Sequence, residues 1–146
     1  MEVITQVEQK LYDICTSTSS DFSAFADVNQ QNQAIHWKYA HGNINERYKH
    51  MVGKPGKGLS GSVVRFGTSI IVDSGTPGFE KLRMQYPIML AENLYAAVAV
   101  PVYFKGNING ILLVGSRTSK KYTMEQINQI KAAADDFTVF YNKEIS

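Results

Sequence analysis

The chain has 146 residues, 44% of them hydrophobic, and a formal charge of +2. That length holds one domain with a real core and is too short for two ordinary ones. No run approaches the roughly 18 apolar residues of a membrane span, the basic residues are too scattered for a nucleic-acid stripe, and one cysteine, Cys15, permits neither an intrachain disulfide nor a Cys-rich zinc site.

The N-terminus, Met1-Glu2-Val3-Ile4, lacks the basic start and apolar core of a signal peptide, which predicts a cytoplasmic protein. Residues 2–16 read as a helix, because Ile4, Val7, Leu11, Ile14 and Cys15 recur at spacings of three and four. The cluster Thr16-Ser17-Thr18-Ser19-Ser20 ends it. Phe22 to Val28 is an apolar strand, Asn29 to Asn32 a turn, and Gln33 to Ala40 a second strand completing a hairpin. Alternation places Ile35, Trp37 and Tyr39 on one face and Ala34, His36 and Lys38 on the other. Asn43 to Val52 fits a helical turn or irregular structure.

The glycine-rich run Gly53-Lys54-Pro55-Gly56-Lys57-Gly58 leads into a short helix from about Ser60 to Phe66, stopped by Gly67. The first N–H groups of a helix have no partner inside it. With the helix dipole they form a ready site for a small anion. Such a loop alone is more often only a tight connection. Thr68 to Asp73 is a short strand, and Ser74 to Gly78 a turn. Phe79 to Leu94 is mixed and divided by Pro87. Ala96 to Phe104 and Ile108 to Gly115 are near-continuously apolar strands of a hairpin, covered on both faces. A last helix runs from about Thr123 to Lys143, opened by a capping box of Thr123 and Gln126. Its stripe is Met124, Ile127, Ile130, Ala134, Phe137 and Tyr141. This order predicts an α+β antiparallel sheet with the terminal helices packed together on one face.

At Gly58-Leu59-Ser60-Gly61, Gly67-Thr68-Ser69-Ile70-Ile71-Val72, Ala99-Val100-Pro101-Val102, Gly110-Ile111-Leu112 and Tyr122-Thr123-Met124-Glu125 the chain resembles a GAF domain. The resemblance spans nearly the whole length, as one domain over residues 1–146. It implies an antiparallel sheet with the N- and C-terminal helices on one face and a ligand pocket on the other. It does not select a function, since GAF domains bind cyclic nucleotides, tetrapyrroles, amino acids or anions, or only dimerise.

Two further stretches are Ile35-His36-Trp37-Lys38-Tyr39, with the only tryptophan, and Arg83-Met84-Gln85-Tyr86-Pro87-Ile88-Met89. With the single-domain length, they resemble the nitrate-receptor branch of that family. That resemblance implies a non-enzymatic sensor without a cofactor. Nitrate would be held by main-chain N–H groups at Leu59, Ser60 and Ile88, with Trp37 and Tyr86 lining the pocket. The implied partner is a sensor histidine kinase of an oxygen- and nitrate-responsive two-component system, whose inhibition nitrate would relieve. A homodimer is allowed; nucleic acid and membrane are not implied.

The residues are compatible with an anion. Pro87 suits a first helical position, and a helix starting there would expose the N–H groups of Ile88 and Met89. The helix at Ser60 would expose those of Leu59, Ser60 and Gly61. Facing one cavity, they would form a donor ring with no side-chain cation, which suits a weakly hydrated monovalent anion better than phosphate. Trp37 adds an indole N–H and a flat wall, and Met84, Met89 and Leu94 would exclude water. Trp37 also suits plain core, and Tyr86-Pro87 a plain helix boundary.

Other chemistry fits less well. A free methionine-(R)-sulfoxide reductase of this fold needs a reactive thiolate. In that family a cysteine commonly follows the loop where Leu59-Ser60-Gly61 stands here. Cys15, on the apolar stripe of its helix, reads as inert core. His36, His41 and His50 match no zinc spacing, with His36 facing solvent, and Asp135-Asp136 reads as a solvated pair. The Asn-Lys-Phe-Asp signature of cyclic-nucleotide GAF domains is absent, as is a cysteine placed for a bilin. A ligand-free dimerisation module is the remaining alternative.

Overall fold

The computed structural model describes residues 3–145. Met1, Glu2 and Ser146 lie outside the described residues, and with them the predicted helix start at Glu2 and the two ends of the 1–146 domain. Helix α1 is Val3–Ser17. Strands β1 (Phe22–Val28) and β2 (Ile35–His41) follow as the expected hairpin. The segment expected to be a helical turn or irregular holds a 3₁₀ turn, Arg47–His50, and a two-residue strand β3, Val52–Gly53. Helix α2 is Gly58–Phe66 and β4 is Ile70–Val72. Pro87 divides two short helices, α3 (Phe79–Met84) and α4 (Pro87–Ala91). Strands β5 (Ala96–Phe104) and β6 (Asn107–Ser116) turn through Lys105 and Gly106, both at positive φ, which matches the twist of a tight hairpin.

The strands form one antiparallel sheet in the order β3-β2-β1-β6-β5-β4. β1 and β6 are central and so are buried on both faces. One face carries the terminal helices. Val7, Leu11 and Ile14 of α1 pack there with Ile127, Ile130, Phe137 and Tyr141 and with the outward side chains of β5 and β6. The other face packs Phe22, Ile35 and Trp37 against Leu59, Val63, Ile88 and Met89 of α2 and α4. The predicted α+β class and the placement of the terminal helices both hold.

The last helix is two. α5 (Met124–Asp136) and α6 (Thr138–Ile145) meet at Phe137. There the ladder tightens to three-residue steps, Phe137 N–H to Ala134 O (3.1 Å) and Phe140 N–H to Phe137 O (3.1 Å). The Thr138 hydroxyl also bonds the Asp135 carbonyl at 2.8 Å. The bend lets Phe137 stack on Phe25, with centroids 5.0 Å apart and planes at 6°. The capping box forms in both directions. Met124, predicted in the buried stripe, is 69% exposed, because it precedes the first turn that meets the sheet. His36 and the pair Asp135-Asp136 are exposed, as expected.

The predicted alternation of β2 fails after Trp37. Ala26 pairs with Trp37 while Phe25 pairs with Tyr39, so Lys38 is an extra residue, a bulge. One inserted residue exchanges the faces of a strand. Ile35 and Trp37 therefore stay with the α2–α4 core, but Tyr39 packs against the terminal-helix core.

Tyr122, just before the capping box, is buried and its hydroxyl shares a 2.8 Å hydrogen bond with Ser20 Oγ. Burial pushes that hydroxyl up to about 12, against an ordinary 10.0. Tyr141 is raised for the same reason. The folded chain thus keeps protons that the unfolded chain gives up first. The resulting stability is full below pH 10.0 and is lost as pH climbs towards about 12. The urea midpoint should fall steeply across that window, and Tyr122→Phe should flatten the fall. A midpoint insensitive to pH there would contradict the buried placement.

Candidate functional site

Two features of the loop before α2 fix its path. Gly58 has φ +67°, where a side chain is strained. A Cβ there would sit 3.6 Å from the Gln85 carbonyl oxygen and 3.8 Å from Pro87 Cδ, so the start of α2 lies against the Gln85–Pro87 junction. Gly61 approaches the Lys54 carbonyl too closely for any Cβ. It also ties the loop to the helix, since its carbonyl accepts the Gly56 N–H at 2.8 Å.

The helix begins two residues earlier than expected, with Lys57 as the residue before it. The Gly61 N–H is consequently used, bonding the Lys57 carbonyl at 3.1 Å. The N–H groups of Gly58, Leu59 and Ser60 have no partner among the described residues. At α4 the Met89 N–H, also expected to be free, bonds the Tyr86 carbonyl at 2.9 Å. Only the Ile88 N–H is left there, Pro87 having none.

These groups border one cavity of about 620 Å³. All six residues singled out by sequence, Trp37, Leu59, Ser60, Tyr86, Pro87 and Ile88, line it. Trp37 and Ser60 are 4% and 9% exposed. The Trp37 indole N–H and the Ser60 and Tyr86 hydroxyls make no hydrogen bond among the described residues. Burial raises the Tyr86 hydroxyl above the ordinary tyrosine range, so it stays a protonated donor at neutral pH. The water-excluding set expected from sequence is different. Met84 is 68% exposed, and Met89 and Leu94 are buried in the core without reaching the cavity. The apolar side chains that do line it there are the half-buried Met51 and the exposed Val52 of β3.

Lys54 and Lys57 also belong to the lining, against the expectation of no side-chain cation. Both are exposed and neither is ion-paired among the described residues. Arg65 lies across the same loop, since a Cβ on Gly56 would be 3.2 Å from its guanidinium. Among the described residues no carboxylate lines the cavity. The two lysines were visible in the glycine-rich run, but a two-residue strand has no periodicity to reveal that β3 curls this run over the pocket.

The far end of α4 is pinned. Glu92 is fully buried, and its Oε1 accepts from the Ile44 N–H at 2.9 Å and from Arg117 at 2.8 Å. Arg117 also donates to the Glu92 carbonyl at 2.9 Å and to the Gly42 carbonyl at 2.8 Å. Asn45 caps the Ala91 carbonyl at 2.7 Å. Cys15 is buried in α1, where burial pushes its thiol up, and it does not line the cavity.

The GAF domain family model matches residues 3–140. The chain belongs to the GAF family. Among solved structures, a mutated NreA protein of Staphylococcus aureus, altered in its nitrate-binding site, is 31% identical. The match covers 82% of this chain and 88% of that one, with a TM-score of 0.72. A hypothetical protein of S. aureus is 32% identical over 80% of this chain and 97% of its own, at a TM-score of 0.71. A type II free methionine-R-sulfoxide reductase of Thermoplasma acidophilum shares the fold at 16% identity, covering 95% and 92% of the two chains with a TM-score of 0.73. No curated protein matches. No helix among the described residues of this GAF domain is long and apolar enough to cross a membrane.

Removing Arg117 would strand the buried Glu92 carboxylate, which already has one oxygen without a partner. Arg117→Met should therefore destabilise the domain by roughly 3 kcal/mol, the low end for breaking a buried pair because the arginine is partly exposed. Chemical denaturation measures this; a loss under about 1 kcal/mol would mean that water already serves the carboxylate.

Proposed function

We propose that this GAF domain is a nitrate receptor. What carries the reading is the inner wall of the cavity, where free main-chain N–H groups meet side-chain donors of buried residues and, among the described residues, no carboxylate competes. The likeness to NreA, a protein with a nitrate-binding site, supports it. The anion would accept from the N–H groups of Leu59, Ser60 and Ile88, with Trp37, Tyr86 and Pro87 forming its walls. Neutral donors suit a monovalent, weakly hydrated ion. Phosphate normally recruits a guanidinium or ammonium directly, whereas the two lysines here are exposed and screened.

The size of the effect fits a sensor. A ligand of about four heavy atoms gains at most about 1.5 kcal/mol for each. That limits binding to roughly 6 kcal/mol, a dissociation constant in the tens of micromolar. Occupancy would then follow changes in nitrate supply instead of scavenging traces of it.

The output in this reading is a protein partner, a sensor histidine kinase of a two-component system that controls nitrate and nitrite respiration. A kinase that binds only the empty form is released when nitrate favours the filled one, by an amount set by the anion's differential affinity. An enzyme of the sulfoxide-reductase type is disfavoured because its chemistry needs a thiolate at the ligand. The only cysteine is buried under the opposite face.

Trp37 reports directly, being the only tryptophan. Its emission should change saturably with nitrate, and little with chloride or sulfate, while the melting temperature rises. Trp37→Ala should weaken nitrate binding on the order of tenfold, as expected for losing a buried contact of about 1.4 kcal/mol. If millimolar nitrate moves neither emission nor melting temperature, the receptor reading fails. A kinase autophosphorylation assay with and without the GAF protein and nitrate tests the partner separately.

A further inference from the structure

The cavity is far larger than the ion proposed for it. Its volume of about 620 Å³ lies within the roughly 300–1,000 Å³ of pockets that bury whole organic molecules. A four-atom anion needs little more than the ~30 Å³ of a water molecule. Beyond the donors the wall is formed by Met51, Val52 and Pro87 and by the nearly covered Trp37, with Gln85 among them. Such a surface gains nothing from holding water. At the mouth stand Lys54 and Lys57, with no carboxylate in the lining to neutralise them.

We infer that the same site also takes small aromatic carboxylic acids, with the carboxylate in the donor ring and the aromatic body against Trp37. This rests on reading that ring as an anion site. A carboxylate offers two oxygens in a plane, as nitrate does, so the N–H groups of Leu59, Ser60 and Ile88 can serve either. Ser60 and Trp37, buried residues that line the same cavity, add a hydroxyl and an indole N–H without a hydrogen-bond partner among the described residues. The difference lies in the rest of the ligand. A carboxylate holds its water more tightly than nitrate, which opposes its entry into a ring of neutral donors. An aromatic ring offsets that by covering apolar wall that nitrate leaves wet. Acetate has the cost without the compensation. The body is what selects, and Lys54 and Lys57 at the mouth add a salt-screened attraction for any anion held in the ring.

Calorimetric titration of the full chain with nitrate, benzoate and acetate separates the cases. Benzoate should bind one to one, at least about tenfold more tightly than acetate, a gap equal to about 1.4 kcal/mol, and nitrate should displace it. The double variant Lys54→Ala, Lys57→Ala changes only exposed side chains. It should weaken benzoate several-fold and make its affinity less sensitive to salt. If nitrate binds saturably but benzoate gives no heat and no displacement, the inference is wrong and the nitrate reading stands. Benzoate that binds without competing with nitrate overturns it equally, since it then sits elsewhere. If benzoate binds and nitrate does not, the inference holds and the nitrate reading falls. If neither binds, both fall.

Discussion

A buried main-chain N–H must find a partner, because leaving it without one costs much of the energy of a hydrogen bond. Helices are the standard answer, yet every helix leaves its first N–H groups over. This domain places the leftovers of α2 beside the one that Pro87 leaves at α4, across a van der Waals contact at Gly58, whose positive φ favours glycine. The rest of the cavity serves that junction. β3 curls the lysine-bearing loop over it, and Trp37 closes it from the sheet. A water cluster or an anion can satisfy the donors, and an anion does so with a full charge against dipoles that the fold has already aligned.

Alignment at α4 cannot come from that helix alone, since five residues are too few to persist unaided. Its far end is held by the buried Glu92 and by Arg117, which reaches it from the end of β6. The same cluster grips Gly42 and Ile44, at the start of the segment that continues through the 3₁₀ turn to β3. Two walls of the cavity are therefore anchored at one ion pair. Burying such a pair gains little stability by itself. Its effect here is geometric, as it fixes where Ile88 stands relative to Ser60.

Much of this was legible in sequence because local rules and tertiary packing agree. The 3.6-residue stripe of α1 from Val7 to Cys15, the Thr123–Gln126 box and the apolar hairpin of β5 and β6 each have one stable solution, and the structure adopts it, leaving only Ile4 of the expected stripe exposed. All six candidate site residues reach one cavity because Gly58, Pro87 and the face of Trp37 are set by backbone chemistry that the sequence states directly. The failures have physical causes. Lys38 adds a bulge that no alternation pattern announces, and it moves Tyr39 to the other core. Thr138 and the pull of the Phe25–Phe137 stack divide a helix that periodicity runs together. The expected free N–H groups run one residue too far into both helices, to Gly61 and to Met89, because capping depends on φ and ψ at Lys57 and Tyr86 that residue identity leaves open.

The two faces of the sheet divide the labour of holding and responding. The terminal-helix face is filled by large aromatic and aliphatic side chains from long elements. The cavity face is walled by short elements: a strand with two register pairs, a 3₁₀ turn, a nine-residue helix and a five-residue one. Opening such elements breaks few hydrogen bonds each, so they belong to the least stable part of the fold. A ligand that bridges α2 and α4 adds contacts where the chain itself supplies fewest. In the proposed receptor, binding would therefore change the cavity face more than the sheet beneath it, and a partner that distinguishes filled from empty would read that side.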